Sequence, residues 1–166
     1  MKFFLFLILA FFFSSLTVNQ DNSKAISHIQ DALLKKVNDY RIKKRLSILT
    51  IENGLQISAQ NQCDYLFKIG KLSHEQPDKK LRTTRDRIKV FSEKSYMSYG
   101  ENCLKTYGDI SALNIEAIAE DMFQLWRTSK PHNANLLNQS FTNTGFGFRT
   151  NAETEEIYCV MDYGGN

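Results

Sequence analysis

Three residues in this 166-residue sequence have side chains suited to acid–base work or metal binding: His74, Glu101 and His132. Two imidazoles and a carboxylate can hold a divalent cation, or pass protons to and from a bound substrate. They stand 27 and 31 positions apart, so only a folded chain brings them together. The plainer reading is that each is a satisfied structural hydrogen-bonding group. A third histidine, His28, sits among polar residues and reads as a surface residue. Other chemistries fail on spacing. His74-Glu75 does not continue to a zinc-protease pattern, because Asp78 stands where the second histidine belongs. Gly145-Phe146-Gly147 lacks the rest of a dinucleotide fingerprint, and no phosphate-binding loop or serine-hydrolase elbow is present. A Cys-His-Asn arrangement of Cys63, His132 and Asn133 has no matching cysteine signature.

The elements that must position these residues follow from apolar periodicity. Ile26, Ile29, Leu33, Val37 and Tyr40 recur at steps of three and four and predict a helix over 24–44. Its other face is basic, with Lys35, Lys36, Arg41, Lys43, Lys44 and Arg45. Leu55, Ala59, Cys63, Leu66 and Ile69 predict a second helix over 53–68, capped by Thr50 or Asn53 and ended by Gly70. His74 then opens a loop over 71–98 that carries one short turn of regular structure and six basic residues from Lys79 to Lys89, read as a solvated face. A strand over 96–104 carries Glu101. A carboxylate in an apolar strand needs a polar partner. A third helix opens at Asn114, with Ile115, Ile118, Met122 and Leu125 in its stripe and Trp126 alongside, and stops at Lys130-Pro131 just before His132. Strands over 141–150 and 156–163 close the chain as a hairpin. Helices first and strands later predict a single α+β domain with an antiparallel sheet.

The N-terminus belongs to none of this. Met1-Lys2 precedes an unbroken apolar run from Phe3 to Phe13, then small polar residues. That pattern is a secretory signal peptide, read here over 1–19, with the folded domain over 24–166. As a helix the run reaches only about 16 Å against a hydrocarbon core of roughly 30 Å, so it is no stable membrane anchor. The formal charge of +3, from 21 basic and 18 acidic residues, gives no reason to expect nucleic-acid binding. Secretion also colours Asn138-Gln139-Ser140, the one N-glycosylation sequon, and the three cysteines, Cys63, Cys103 and Cys159. Cys63, on a helical stripe, reads as a buried thiol.

A series of short motifs, in order, resembles the CAP superfamily of cysteine-rich secretory, antigen 5 and pathogenesis-related 1 proteins, in its shorter, bacterial-type form. Asn38-Asp39-Tyr40-Arg41 with Leu46 and Leu49 is similar to the family's entry helix. Leu72-Ser73-His74 resembles its first histidine, and Gly100-Glu101-Asn102 its GEN strand. Trp126, Ser129, His132, Asn135, Leu136 and Leu137 resemble its W-x-x-S-x-x-H-x-x-N-[IL]-L pattern. Phe141-Thr142, Gly145-Phe146-Gly147 and the ending Tyr163-Gly164-Gly165-Asn166 complete the match. The resemblance implies a three-layer α-β-α sandwich with a cleft lined by His74, Glu101 and His132. In many members two His and two acidic residues there bind a divalent metal such as zinc; Ser129 stands here in place of the fourth, and should face the cleft. It implies a monomeric, secreted protein that binds a lipid- or sterol-like ligand or a protein partner without turnover. The alternative is a hydrolase, of protease type, using the same three residues. Cys103 and Cys159 both fall in the predicted sheet, so geometry allows a Cys103–Cys159 bridge if their strands are neighbours. Otherwise all three cysteines are reduced core residues.

Overall fold

The computed structural model describes the backbone of residues 4–110 and 114–166, with side chains from Asn22 onward. The expected signal peptide lies outside the residues whose side chains are described. The elements run α1 (Phe4–Lys43), β1 (Thr50–Ile51), α2 (Asn53–Ile69), α3 (Thr84–Phe91), β2 (Ser98–Tyr107), α4 (Ile115–Thr128), α5 (Lys130–Leu136), β3 (Phe141–Asn151) and β4 (Glu156–Gly165). Among the described residues no helix is long and apolar enough to cross a membrane.

The sheet order is β1-β3-β4-β2. The three long strands are antiparallel as predicted, but the two-residue β1 pairs with β3 in parallel, so the sheet is mixed. Alternation along β4 builds the layers. Ile157, Cys159, Met161 and Tyr163 point into a core with Ile29, Leu33 and Val37 of α1 and Ile118, Met122 and Trp126 of α4. Tyr158 and Val160 point the other way, onto Ala59, Cys63 and Leu66 of α2. Helix α2 rides directly on β3. A Cβ at Gly147 would come within 2.4 Å of the Ala59 carbonyl carbon, so only glycine permits this approach.

This alternation overturns the Cys103–Cys159 bridge. Strands β2 and β4 are neighbours, but Cys103 pairs with Val160 and Cys159 with Leu104. Cys103 therefore faces α2, while Cys159 faces the α1/α4 core. Side chains on opposite faces of a sheet cannot be bridged, and all three cysteines are free and buried.

Other departures have local causes. Glu52 rather than Thr50 or Asn53 caps α2, its carboxylate accepting from the Gly54 and Leu55 amides. The third helix, α4, ends at Thr128, just before Lys130-Pro131 as expected, but a further helix follows at once. Ser129 takes extended backbone, and Pro131 sits in the first turn of a new helix, α5, where its missing N–H costs nothing. Leu125 is 46% exposed, and Ala119 and Phe123 take its place in the core. Arg41 is not on the solvated basic face. It is wholly buried, and its guanidinium donates to the carbonyls of Ser47, Leu136, Asn138 and Phe141. An arginine interior to the fold is tolerated because its donors meet fixed carbonyl acceptors.

Candidate functional site

The site forms where the loop after α2, helix α3 and strand β2 meet. Gly70 ends α2 in the left-handed region, with φ of 69°. The loop beyond it is pinned to the helix through amides. Gln62 Nε2 donates to the Ser73 carbonyl at 2.6 Å, and Gln76 Nε2 donates to Asn61 and Gln62. His74 is thereby set over the start of β2. Helix α3 begins with a capping box, Thr83 with Asp86, which fixes its first turn. The next residue, Arg87, points inward beside Ile88 and is completely buried.

Glu101 on β2 is the centre of the cluster. Its side chain is 2% exposed, whereas that of His74 is 59% exposed. His74 Nδ1 donates to Glu101 Oε1 at 2.6 Å, and Arg87 Nη2 donates to Oε2 through a short contact. Arg87 Nη1 also reaches the carbonyls of His74, Leu81 and Arg82, and Nη2 reaches Thr84 Oγ1. One guanidinium therefore ties the loop, α3 and β2 together. Burial alone pushes the Glu101 carboxyl up. The hydrogen bond from His74 and the charge of Arg87 outweigh it and hold the group below its usual range. The bond to Glu101 raises His74 against the lowering effects of its partial burial and of Arg87.

A second carboxyl lies directly opposite. Asp162 pairs with Glu101 across β2 and β4, so both project from the same sheet face. It is wholly buried, and Ser58 Oγ donates to its Oδ2 at 2.6 Å. Burial first, then the charge of Glu101, push Asp162 far above the carboxylate range. The two adjacent carboxyls are thus pushed in opposite directions, Glu101 down and Asp162 up. Cys103 completes the cluster. Donor atoms of His74, Glu101 and Cys103 lie within 4.8 Å of one another, a candidate metal-ligand triad. Burial pushes the Cys103 thiol well up, so it is no thiolate.

His132 does not join that triad. It stands on α5, where its backbone carbonyl accepts from Asn102 Nδ2. Asn135 of the same helix donates to the Glu101 carbonyl and to Asn102 Oδ1, docking α5 along β2. With no carboxylate beside it, His132 is lowered by burial and then by the charge of His74. Glu101 thus raises His74 and leaves His132 to the opposite shift. Ser129 is half-buried at the α4–α5 junction, and its side chain makes no capping bond. His28 is exposed, as expected.

Arg87 and Asp162 were not singled out as site residues by sequence, and Cys103 was expected in a disulfide rather than beside His74 and Glu101. For Arg87 there was a signal. Glu101 needed a polar partner, and Thr83-x-x-Asp86 marks a helix start within the basic run. For Asp162 the signal was weaker: an acid at an inward position of an otherwise apolar strand.

Comparison with known proteins follows from this geometry. The model of a family described as CAP, cysteine-rich secretory protein family, matches residues 34–163. Among solved structures, an outer surface protein from Borrelia burgdorferi matches with a TM-score of 0.68 at 17% identity, covering 83% of this chain and 93% of that one. An extracellular protein containing an SCP domain from Bacillus anthracis matches with a TM-score of 0.62 at 21% identity, over 84% of this chain and 41% of that one. A third, NaASP2 described with Zn2+, has a TM-score of 0.56 at 14% identity, over 82% of this chain and 79% of that one. At these identities the likeness is one of fold. No curated protein matches the chain significantly in sequence.

Proposed function

Since the chain belongs to the CAP family of cysteine-rich secretory proteins, we propose that it is a secreted, monomeric extracellular protein that acts by binding rather than by turnover. The observation that carries this reading is the burial of Glu101 between His74 and Arg87, which keeps its carboxylate from water and substrate. A general base must offer a free lone pair to a water or a substrate proton. Glu101 is almost wholly buried, with one oxygen held by His74 and the other by Arg87. The three thiols are buried and protonated, so none is an activated nucleophile. What the cluster presents to solvent is the outer edge of the His74 ring, a contact for a ligand and a poor engine for hydrolysis.

The ligand is lipid-like or a protein partner. A groove of about 580 Å³ between α1 and α4 supports the first. The edge-to-face pair Tyr40–Phe123 lies in it, and four basic residues, Lys36, Lys43, Lys44 and Arg127, outnumber Asp39 and Glu120 around it. Its size suits a small ligand, and its aromatic surface with cationic neighbours suits an amphiphile with an anionic head. This groove is separate from the His74 cluster, so the two surfaces can act independently.

The second reading is a hydrolase. The 2.6 Å His74–Glu101 bond favours it, because a carboxylate orienting an imidazole is a common way to build a base. One experiment separates them. Purified protein is dialysed against a labelled long-chain fatty acid and a labelled sterol, and in parallel incubated with quenched fluorescent peptides. Saturable binding that Tyr40→Ala weakens, with no peptide cleavage, supports the binder. Cleavage abolished by His74→Ala would replace it with the hydrolase. Secretion is tested by expression with the native N-terminus: a processed chain in the medium is expected, and an uncleaved, retained chain counts against it.

A further inference from the structure

We infer that Arg87 is the resident cation of the cleft: its guanidinium holds the place beside Glu101 that a divalent ion needs, so the His74–Glu101–Cys103 cluster is not a metal centre in this protein. The three donors are close enough to invite a metal, but the chemistry of the set does not fit one. A zinc ion needs three or four lone pairs converging at about 2.0–2.3 Å. Oε1 accepts the Nδ1 proton at 2.6 Å, so Nδ1 is not open to a metal, and Nε2, on the opposite edge of the ring, faces away from Glu101 and cannot share one ion with it. Oε2 is engaged by Arg87. The Cys103 sulfur, 3.8 Å from the same Nδ1, is buried among apolar neighbours.

The guanidinium is not a loose side chain that an incoming ion could push aside. Arg87 has no exposed surface; carbonyls of His74, Leu81 and Arg82 hold its Nη1, and the Thr84 hydroxyl shares Nη2 with Glu101. It has no second place to go without stranding a buried charge. A dication bound to Glu101 would stand next to this fixed positive charge in a water-poor site, where like charges repel strongly. The same arginine also donates to the backbone of His74, so it does for the loop what a metal does elsewhere: it draws ligands from separate segments to one point.

Zinc titration by calorimetry, followed alongside by the ring nitrogen shifts of His74 in NMR, tests the assignment. In the wild-type protein, added Zn2+ should leave the His74 ring shifts unchanged. Arg87→Met keeps much of the length and removes the charge; it should bind Zn2+ at least tenfold more tightly than wild type, and the gain should vanish in Arg87→Met/His74→Ala. Arg87→Lys, which keeps the charge, should remain without affinity at this site. Metal-dependent shifts of His74 in wild type, with Zn2+ affinity falling tenfold on His74→Ala, would overturn the inference whether or not Arg87→Met folds. A folded Arg87→Met that gains no affinity would overturn it as well.

Discussion

Replacing Glu101 by glutamine keeps the shape of the side chain and removes its charge, which isolates what the carboxylate does. Its two partners are unequal. Arg87 is fully buried, so its positive charge would be left uncompensated in the interior, at a cost of roughly 3–5 kcal/mol. His74 is 59% exposed, and water takes over its side of the interaction for less than about 1 kcal/mol. The loss at neutral pH should therefore be about 4 kcal/mol and belong almost wholly to Arg87. At about 2–4 °C per kcal/mol for a domain of this size, Tm should fall by roughly 8–16 °C. The single tryptophan, Trp126, is completely buried and reports urea unfolding directly. The pH dependence gives a second signature. Glu101 is held below its ordinary value of 4.5, so its contribution is present above that pH and disappears as pH falls through the lowered native value. His74 is raised above 6.5, so its smaller contribution is complete below 6.5 and fades as pH rises through the raised value. The gap between wild type and variant should peak between these limits and collapse in acid. A loss under about 1 kcal/mol, or a gap that stays constant down to strongly acidic pH, would refute the reasoning.

Other substitutions probe the rest of the interior. Arg41→Met should cost about 3–5 kcal/mol in urea unfolding, because four carbonyls lose their donor; Arg41→Lys should recover less than half, since one ammonium cannot span them. Asp162→Asn should stabilise the protein at pH 7 by on the order of 1–2 kcal/mol. The native Asp162 value is raised above 3.8, so the aspartate costs stability as pH climbs, and the gain should shrink towards pH 3. Thiol labelling of the unreduced protein should modify none of the three cysteines in the native state and all three in denaturant; a Cys103–Cys159 peptide in mass mapping would contradict the opposite-face register.

Much of the fold could be read from the sequence because it is periodic. The stripe Ile29, Leu33, Val37 and the alternation Ile157, Cys159, Met161 are one-dimensional records of which side faces the core, and the structure buries them all. The bringing together of His74 and Glu101 came from motif order, which periodicity alone does not encode. What stayed hidden has a shared physical cause. Arg41 and Arg87 carry charges that local pattern assigns to solvent. Their burial is decided by acceptors distant in sequence, such as Phe141 for Arg41 and Glu101 for Arg87. The face of Cys103 depends on strand register, and a shift of one residue reverses it. Helix α5 was missed because proline was read as a stop, when one turn later it serves as a start.

The strand order has a bearing on when the molecule can fold. β4 is the last strand in the sequence, yet it lies inside the sheet and bonds to both β2 and β3. Until Glu156–Gly165 has been synthesised, β2 has no partner and β3 has only the two-residue β1. Arg41 likewise waits for Leu136, Asn138 and Phe141, up to 100 residues away, before its charge can be taken inside. Assembly is therefore held back until β4 is available, with long-range closure setting its pace. A ribosome-bound chain halted at Asn151 should remain open to protease throughout, and extending it past Gly165 should bring protection to α1, α2 and β2 together.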